Sequence, residues 1–158
     1  RTNGIPLEIA RTERLLIREL CADDRDDVKI IFGDRKTNDD FDKEITQYIR
    51  NTYDLYGYGL YAVCLRSEDR LKEDCIGLAG LKPSEGSPEL GYILKEPYRG
   101  YGYAYEACCV VLEKYREIAT EKNIKIIISE NNVPSVCLAK KLRDTYYPKG
   151  MLVEIQLV

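Results

Sequence analysis

Residues 89–107 read ELGYILKEPYRGYGYAYEA, and this stretch decides the order of the elements around it. It begins with a short run of apolar, aromatic and branched side chains, which is typical of a β-strand. Pro97 ends that run, two glycines follow, and helical spacing without proline or glycine then continues to about residue 122. Glycines let an anion approach the backbone closely, and the unpaired N–H groups of a first helical turn point at it. The stretch therefore predicts a strand, an anion-binding loop and a helix.

The spacing of Arg99, Gly102 and Ala104 narrows the range of possible ligands. This Arg-x-x-Gly-x-Ala pattern resembles the Arg/Gln-x-x-Gly-x-Gly/Ala signature with which GNAT N-acetyltransferases bind acetyl-CoA. It is not a Walker loop, because no Gly-Lys-Ser/Thr ends it, and Tyr105 stands where a dinucleotide fingerprint needs a third glycine. An ordinary strand–loop–helix connection would also explain the glycines, so the flanking sequence has to decide.

Two flanking stretches extend the resemblance. Residues 12–20 read TERLLIREL, which is similar to the opening strand T-x-R-L-x-L-R-x-L of the RimJ/RimL-like branch. Residues 132–135 read NVPS and resemble the N-x-x-S turn that follows the fifth strand in that branch. The resemblance covers nearly the whole chain after residue 11. It implies an α/β fold, the GNAT fold, in which a mixed, bent sheet carries helices on both faces and splayed strands form a cofactor cleft.

The hydrophobic pattern predicts the same order of elements. A flexible lead-in over residues 1–11 precedes a single acetyltransferase domain at 12–158. The predicted strands are 12–20, 60–65, 74–81, 89–94, 124–129 and 151–158; the predicted helices are 27–32, 41–53, 103–122 and 136–142, and a polar turn is predicted at 34–40.

Composition removes several classes of function. The net charge of −3 and the scattered basic residues disfavour a nucleic-acid surface. No apolar run reaches membrane-spanning length and no signal-peptide pattern opens the chain, so a cytoplasmic protein without membrane contact is expected. Six cysteines form no C-x-x-C pair and histidine is absent. A metal site is therefore not expected, and Ser-His-Asp and Cys-His chemistry is excluded.

The sequence departs from the family after Leu142. The branch continues with Gly-Phe and a further strand, whereas this chain runs through residues 143–148 and reaches its last strand early. The chain also opens on Arg1 rather than Met. We expect either a shortened strand or residues that are absent near 143–145 and at the N-terminus. In the family this region often closes the amine site, so the acceptor stays open.

The resemblance assigns the cofactor contacts. It implies that the pantetheine arm of acetyl-CoA pairs with the backbone of Ile93 and Leu94, and that an N–H near Leu94 polarises the thioester carbonyl. Asn132 matches a residue that hydrogen-bonds the same arm. Arg99 either pairs with the pyrophosphate or shapes the turn. The pyrophosphate is expected on the N–H groups of Gly100, Tyr101, Gly102, Tyr103 and Ala104.

The catalytic residues have competing interpretations. Glu89 either relays the amine proton through water or is a solvated strand-end glutamate, and attack by a neutral amine without a dedicated base is also open. Glu106 has either a packing or substrate-orienting role or a capping role in the first turn of the helix, where the dipole favours an acid. The tyrosine that many members use on the following helix is absent, because Ala139 stands there. Ser135 is then either the proton donor to sulfur or the N-cap of helix 136–142.

The predicted function is an acetyl-CoA-dependent N-acetyltransferase in which a primary amine attacks the thioester directly. The acceptor is a protein N-terminus or a small-molecule amine, and a homodimer is compatible with the resemblance. The alternative is a non-catalytic acyl-CoA sensor or interaction module on the same fold. A third interpretation is a nucleotide-binding protein that uses the glycine loop for ATP or NAD.

Overall fold

A computed structural model describes residues 1, 5–32, 38–67 and 73–158. Within them, seven strands form a single sheet in chain order. β1 to β5 are antiparallel to their neighbours, whereas β5 with β6 and β6 with β7 run parallel. The strands are β1 (Glu8–Arg11), β2 (Leu15–Glu19), β3 (Leu60–Leu65), β4 (Cys75–Lys82), β5 (Glu89–Leu94), β6 (Asn123–Ile128) and β7 (Leu152–Leu157).

Helices cover both faces of the sheet. They are α1 (Arg25–Phe32), α2 (Asn38–Tyr48), α3 (Asp54–Tyr56), α4 (Tyr103–Ile118) and α5 (Val133–Tyr146), with a π-helical segment, Ile49–Tyr53, joining α2 to α3. Short 3₁₀ turns lie at Ala22–Asp24, Glu96–Tyr98 and Tyr147–Lys149. The predicted α/β fold with a mixed sheet and helices on both faces is confirmed.

Two hydrophobic clusters explain why β2 is almost continuously apolar. Leu15 and Ile17 belong to the cluster under α4 and α5, and Leu16 belongs to the one under α1 and α2. Successive side chains of a strand point to opposite faces, so a strand that is covered on both sides needs apolar residues at every position. All three leucine and isoleucine side chains are buried.

The sheet opens between β5 and β6. β4 and β5 pair along six positions, and so do β6 and β7. Among the described residues, by contrast, β5 and β6 pair at one position, Glu89 with Lys125. The two strands therefore diverge beyond Glu89, and the connection from β5 to α4 lies at the open end. This divergence is the splay that the family resemblance implied.

Several predicted boundaries are wrong. The lead-in is too long, because Glu8–Arg11 forms β1 and pairs with β2 at the sheet edge. In the predicted turn at 34–40, residues 34–37 lie outside the described part of the chain and residues 38–40 already belong to α2. The helix predicted at 103–122 ends at Ile118, since Ala119 is extended.

The helix predicted at 136–142 is longer at both ends. It begins at Val133 because Asn132 caps it. At the other end Tyr146 is still helical, and its side chain is 1% exposed. The Tyr146 hydroxyl donates to the carbonyl of Cys109 on α4 at 3.0 Å. This contact with a distant helix fixes residues that the sequence alone placed in a turn.

Candidate active site

The loop between β5 and α4 has the conformation of an anion cradle. Gly100 and Gly102 have φ values of +85° and +83°, in the left-handed region that glycine tolerates best. A Cβ added to Gly100 would meet no described atom within 4 Å. The first hydrogen bond of α4 runs from Glu106 N–H to the Gly102 carbonyl at 3.1 Å. The N–H groups before Glu106 therefore have no acceptor within the helix and are available to a ligand.

The loop is accessible from solvent. Residues 99–102 are all exposed, and Tyr101 has 62% of its surface exposed. A cradle that was covered by packing would have had no room for phosphate groups. The exposed positions are also the ones at which the Arg-x-x-Gly pattern places the closest approach of the ligand.

Arg99 shapes the turn that enters the loop. Its Nε donates to the carbonyl of Leu94, the last residue of β5, at 3.0 Å. The guanidinium group thus returns to the strand end and closes the 3₁₀ turn Glu96–Tyr98 from the outside. Of the two predicted roles for Arg99, this geometry supports the turn-shaping one.

Successive residues at the end of β5 direct their backbone N–H and C=O groups alternately to β4 and to the gap beside β6. Lys95 N–H donates to the Ile76 carbonyl on β4 at 2.8 Å. In an antiparallel ladder every second residue directs its backbone groups to the same neighbour, so Ile93 also faces β4. Leu94 and Tyr92 therefore direct their N–H groups towards the gap. The N–H groups that face the gap are thus those of Leu94 and Tyr92, whereas the predicted Ile93 faces β4.

The Tyr92 side chain crosses from β5 to α5. Its hydroxyl donates to the Ser135 carbonyl at 3.1 Å. Burial raises the pKa of Tyr92 to about 12, so the phenol stays protonated at neutral pH. No sequence signal distinguished this residue, because the chain has 13 tyrosines.

The cap of α5 is Asn132. Its Oδ1 accepts the Ser135 N–H at 3.3 Å, and its carbonyl accepts Val136 N–H at 3.0 Å. The predicted N-cap role of Ser135 is therefore wrong; Ser135 lies in the first turn instead. Capping uses one of the two lone pairs on Asn132 Oδ1, so the NH₂ group and the second lone pair remain to reach a pantetheine arm.

The glycine loop, the gap between β5 and β6 and the helix that follows Asn132 are the features that the resemblance to the GNAT family implied. The sequence profile described as "Acetyltransferase (GNAT) domain" matches residues 14–143. The chain belongs to the GNAT acetyltransferases. Within that superfamily it is of the RimJ/RimL type, and GNAT members use acetyl-CoA to acetylate amines.

Solved structures share this GNAT fold. An acetyltransferase from Agrobacterium tumefaciens is 24% identical with a TM-score of 0.62, over 90% of this chain and 86% of that one. A GNAT-family acetyltransferase from Bacillus anthracis is 22% identical with a TM-score of 0.60, over 84% and 80%. The Salmonella typhimurium acetyltransferase that modifies the N-terminal serine of ribosomal protein L7/L12 is 13% identical with a TM-score of 0.62, over 85% and 82%. At these identities the similarity shows the fold alone.

In this GNAT domain, Glu89 lies at the closed end of the gap. Its carboxylate is 3.4 Å from Lys82 Nζ, and 23% of its side chain is exposed. It shares a sheet face with Gly91 and Ile93, the face that α1 and α2 cover. Ile93 is four positions along the strand from Glu89, which corresponds to about 13 Å. A proton relay from an amine near the strand end would therefore have to run through water.

Glu106 is held by the β1–β2 turn. Its Oε1 accepts Arg14 Nε at 2.8 Å, and its Oε2 accepts the Thr12 hydroxyl at 2.5 Å. Burial alone would raise the pKa of Glu106, but the hydrogen bonds from Thr12 and Arg14 outweigh it and hold that pKa below its usual value. An ionised carboxylate with two fixed donors is a structural group rather than a base. Sequence reasoning found Glu106 but missed both partners.

A cavity of about 410 Å³ lies between α2 and the sheet. Leu78 lines it, and Leu78 is the direct cross-strand partner of Ile93. The cavity thus opens on the same face as Glu89 and next to the end of β5. Tyr48 fixes its wall, because the Tyr48 hydroxyl accepts Leu60 N–H at 2.8 Å. Its other apolar lining residues are Leu20, Val28, Phe41, Ile45 and Leu60.

The described residues form neither a metal-binding cluster nor a membrane-spanning helix. Across the described ranges, no group of three or more His, Cys, Asp or Glu side chains is arranged to hold a metal ion. None of the helices in the described part of the chain combines the length and apolar character needed to span a bilayer.

Proposed function

We propose that this chain transfers the acetyl group of acetyl-CoA to a primary amine by direct attack of the amine on the thioester. The observation that carries the proposal is the position of the loop: the exposed glycine cradle begins where β5 has separated from β6. A diphosphate on the cradle and an extended arm in the gap are the two parts of one elongated ligand. ATP or NAD would use the first part but not the second.

The described residues fit acetyl-CoA. The N–H groups of residues 100–104 would bind the pyrophosphate, because the left-handed glycines leave the backbone open and the helix dipole favours an anion. The N–H groups of Tyr92 and Leu94 would pair with the pantetheine arm as with an added strand. The Leu94 N–H would then lie close to the thioester carbonyl and stabilise the charge that develops on its oxygen.

The amine would approach from the α1/α2 face. Glu89 and Ile93 lie on that face, and the cavity lined by Leu78 is adjacent. Glu89 would accept the amine proton through water rather than directly, because it lies about 13 Å along the strand from Ile93. The cavity is mainly apolar, so it would accommodate the substituent next to the amine rather than the charged amine itself.

Two hydroxyl groups lie at the start of α5, where the thiolate would leave. Ser135 is in the first turn, and the Tyr92 hydroxyl is bound to the Ser135 carbonyl. Since Asn132 supplies the cap, capping does not account for Ser135. We assign the proton transfer to sulfur to Ser135 and a supporting position to Tyr92.

The acceptor is proposed to be a protein N-terminus or a small-molecule amine. The Salmonella typhimurium enzyme modifies an N-terminal serine, which makes serine-initiated peptides the first acceptors to test. The test measures release of free CoA thiol from acetyl-CoA with a panel of N-terminal peptides, amino acids and polyamines, and mass spectrometry of the product. Steady thiol release with an acetylated product supports the proposal.

The second candidate is an acyl-CoA-binding protein without turnover. It is favoured by Ala139, which is fully buried and carries no hydroxyl where many family members have a catalytic tyrosine. Binding of acetyl-CoA without thiol release across the whole panel would favour this candidate. Displacement of acetyl-CoA by equimolar ATP or NAD would contradict both candidates, because neither nucleotide carries an arm for the gap.

A further inference from the structure

Arg14 joins the β1–β2 turn to the glycine loop. Its Nη1 donates to the Tyr101 carbonyl at 2.8 Å, and its Nε donates to Glu106 at 2.8 Å. Its guanidinium carbon lies 4.4 Å from the centre of the Tyr103 ring. These contacts fall on both sides of Gly102 in the chain. The Arg14 side chain therefore binds both the glycine loop and the first turn of α4.

The turn that carries Arg14 is itself fixed to the sheet. Thr12 N–H donates to the Leu15 carbonyl at 2.8 Å, and Leu15 N–H donates to the Thr12 hydroxyl at 2.9 Å. Arg66, which follows β3, donates its N–H to the Arg14 carbonyl at 2.9 Å. The Thr12 hydroxyl also donates to Glu106. Arg14 thus connects the loop to a turn that is itself hydrogen-bonded to the sheet and to α4.

We propose that Arg14 is a positioning residue that holds residues 100–104 in the anion-binding conformation before the ligand arrives, with Glu106 and Thr12 fixing its guanidinium group. A loop with two left-handed glycines has many other conformations, and each must be given up when an anion binds. Holding the loop in place beforehand lowers that entropic cost and increases affinity. The identity of the ligand rests on the proposed function; the positioning itself does not.

Two nitrogens of the Arg14 guanidinium serve positioning, and the third, Nη2, lies next to Gly102, so the experiment has to separate positioning from a direct contact with phosphate. Nε and Nη1 of Arg14 are bound to Glu106 and to the Tyr101 carbonyl, and the Glu106 carboxylate balances the positive charge locally. A guanidinium in this state contributes geometry more than net charge. Lysine cannot reproduce it, because it lacks the planar fork that reaches two acceptors at once.

The test compares Arg14→Gln, Arg14→Lys, Glu106→Gln and the double variant with a control, Arg11→Gln. Arg11 is a nearby arginine whose bonds go to Glu8 and Glu73, outside the loop. We expect Arg14→Gln to raise the Kd for acetyl-CoA about tenfold, the loss of one charge-assisted hydrogen bond, with turnover at saturation unchanged. Arg14→Lys should not rescue it, and the double variant should be no weaker than Arg14→Gln alone.

Salt dependence and amide exchange provide the decisive readouts. The slope of log Kd against log salt should be the same for Arg14→Gln and the parent, and amide hydrogen exchange at residues 100–105 should accelerate in the free protein. Rescue by lysine together with a reduced salt slope would show a direct phosphate contact and overturn the proposal. An unchanged Kd and unchanged exchange would overturn it as well.

The proposal can still be tested if Arg14→Gln does not fold or if the parent chain does not bind acetyl-CoA. Thr12→Val removes the hydroxyl bond to Glu106 without changing charge, and it should give a smaller effect in the same direction if Arg14→Gln fails to fold. If the parent chain does not bind acetyl-CoA, the proposed function fails. The exchange measurement then still decides whether Arg14 holds the loop.

Discussion

Substituting glutamate for Gly102 tests whether the loop backbone holds the pyrophosphate. Gly102 has φ +83° and ψ 7°, where a residue with a Cβ costs about 1–2 kcal/mol more than glycine. A Cβ there would lie 3.5 Å from Arg14 Nη2, an ordinary contact, so the cost is conformational rather than steric. The added carboxylate would face the diphosphate, and two like charges at 4 Å repel by about 1 kcal/mol in water and more near a protein surface.

Gly86 provides a matched control. It has φ +84°, and a Cβ there would meet no described atom within 4 Å. Gly86→Glu therefore adds the same strain and the same charge away from the loop. The strain at Gly102 is the same with and without the ligand, so it lowers the Tm and cancels from the Kd. The repulsion alone, about 1 kcal/mol or more, corresponds to a roughly fivefold or larger increase in Kd.

The assay is isothermal titration calorimetry with acetyl-CoA, accompanied by thermal unfolding of both variants. Both should lower the Tm by a few degrees, since about 1 kcal/mol corresponds to roughly 2–4 °C in a chain of this size. Only Gly102→Glu should lose affinity. A folded Gly102→Glu variant with the parent Kd would refute the placement of the pyrophosphate on this loop.

Four other outcomes are expected. Asn132→Ala should lower stability by about 1 kcal/mol through loss of the cap, measured by urea unfolding, and a smaller loss than that of Ser135→Ala would contradict the assignment of the cap. Ser135→Ala should reduce kcat more than the KM for acetyl-CoA, whereas Tyr92→Phe should reduce it less; the reverse ranking would make Tyr92 the proton donor to sulfur. Glu89→Gln should lower kcat at neutral pH without changing the Kd for acetyl-CoA, and an identical pH–rate profile would show that no carboxylate base acts there. Folding lowers the pKa of Glu106, so its ionised carboxylate stabilises the folded protein above the unfolded pKa of about 4.3, and this stabilisation is lost as the pH falls through the folded pKa. Glu106→Gln should therefore make the free energy of unfolding fall less steeply at acid pH. An unchanged pH dependence would contradict the ion pair with Arg14.

The conformation of the glycine loop was predictable because its determinants are local. A left-handed φ at Gly102 and a helix that starts at Tyr103 depend on residues that are neighbours in the chain. The spacing of Arg99, Gly102 and Ala104 records this geometry directly. The strand before the loop was equally clear, since a run of branched and aromatic residues needs no distant partner to be recognised.

The backbone direction at the end of β5 was not predictable. Whether Ile93 or Tyr92 faces the gap depends on which residue of β4 pairs with which residue of β5. A shift of one position in that register would exchange the two faces and both sets of N–H groups. The sequence marks this register only at one end, where Lys82 pairs with Glu89; residues 75–81 and 90–94 carry no charge that would align the rest of the two strands.

The sequence alone determined the family, the order of the main strands and helices after residue 11 and the position of the glycine loop, because each of these depends on patterns within about twenty consecutive residues. The tertiary structure alone decided that Asn132 rather than Ser135 caps α5, that Tyr92 reaches the start of that helix, and that Arg14 contacts the loop. Arg14 and Tyr101 are 87 positions apart. Hydrogen bonds across such distances exist only once the sheet has brought its strands together, and no local pattern encodes them.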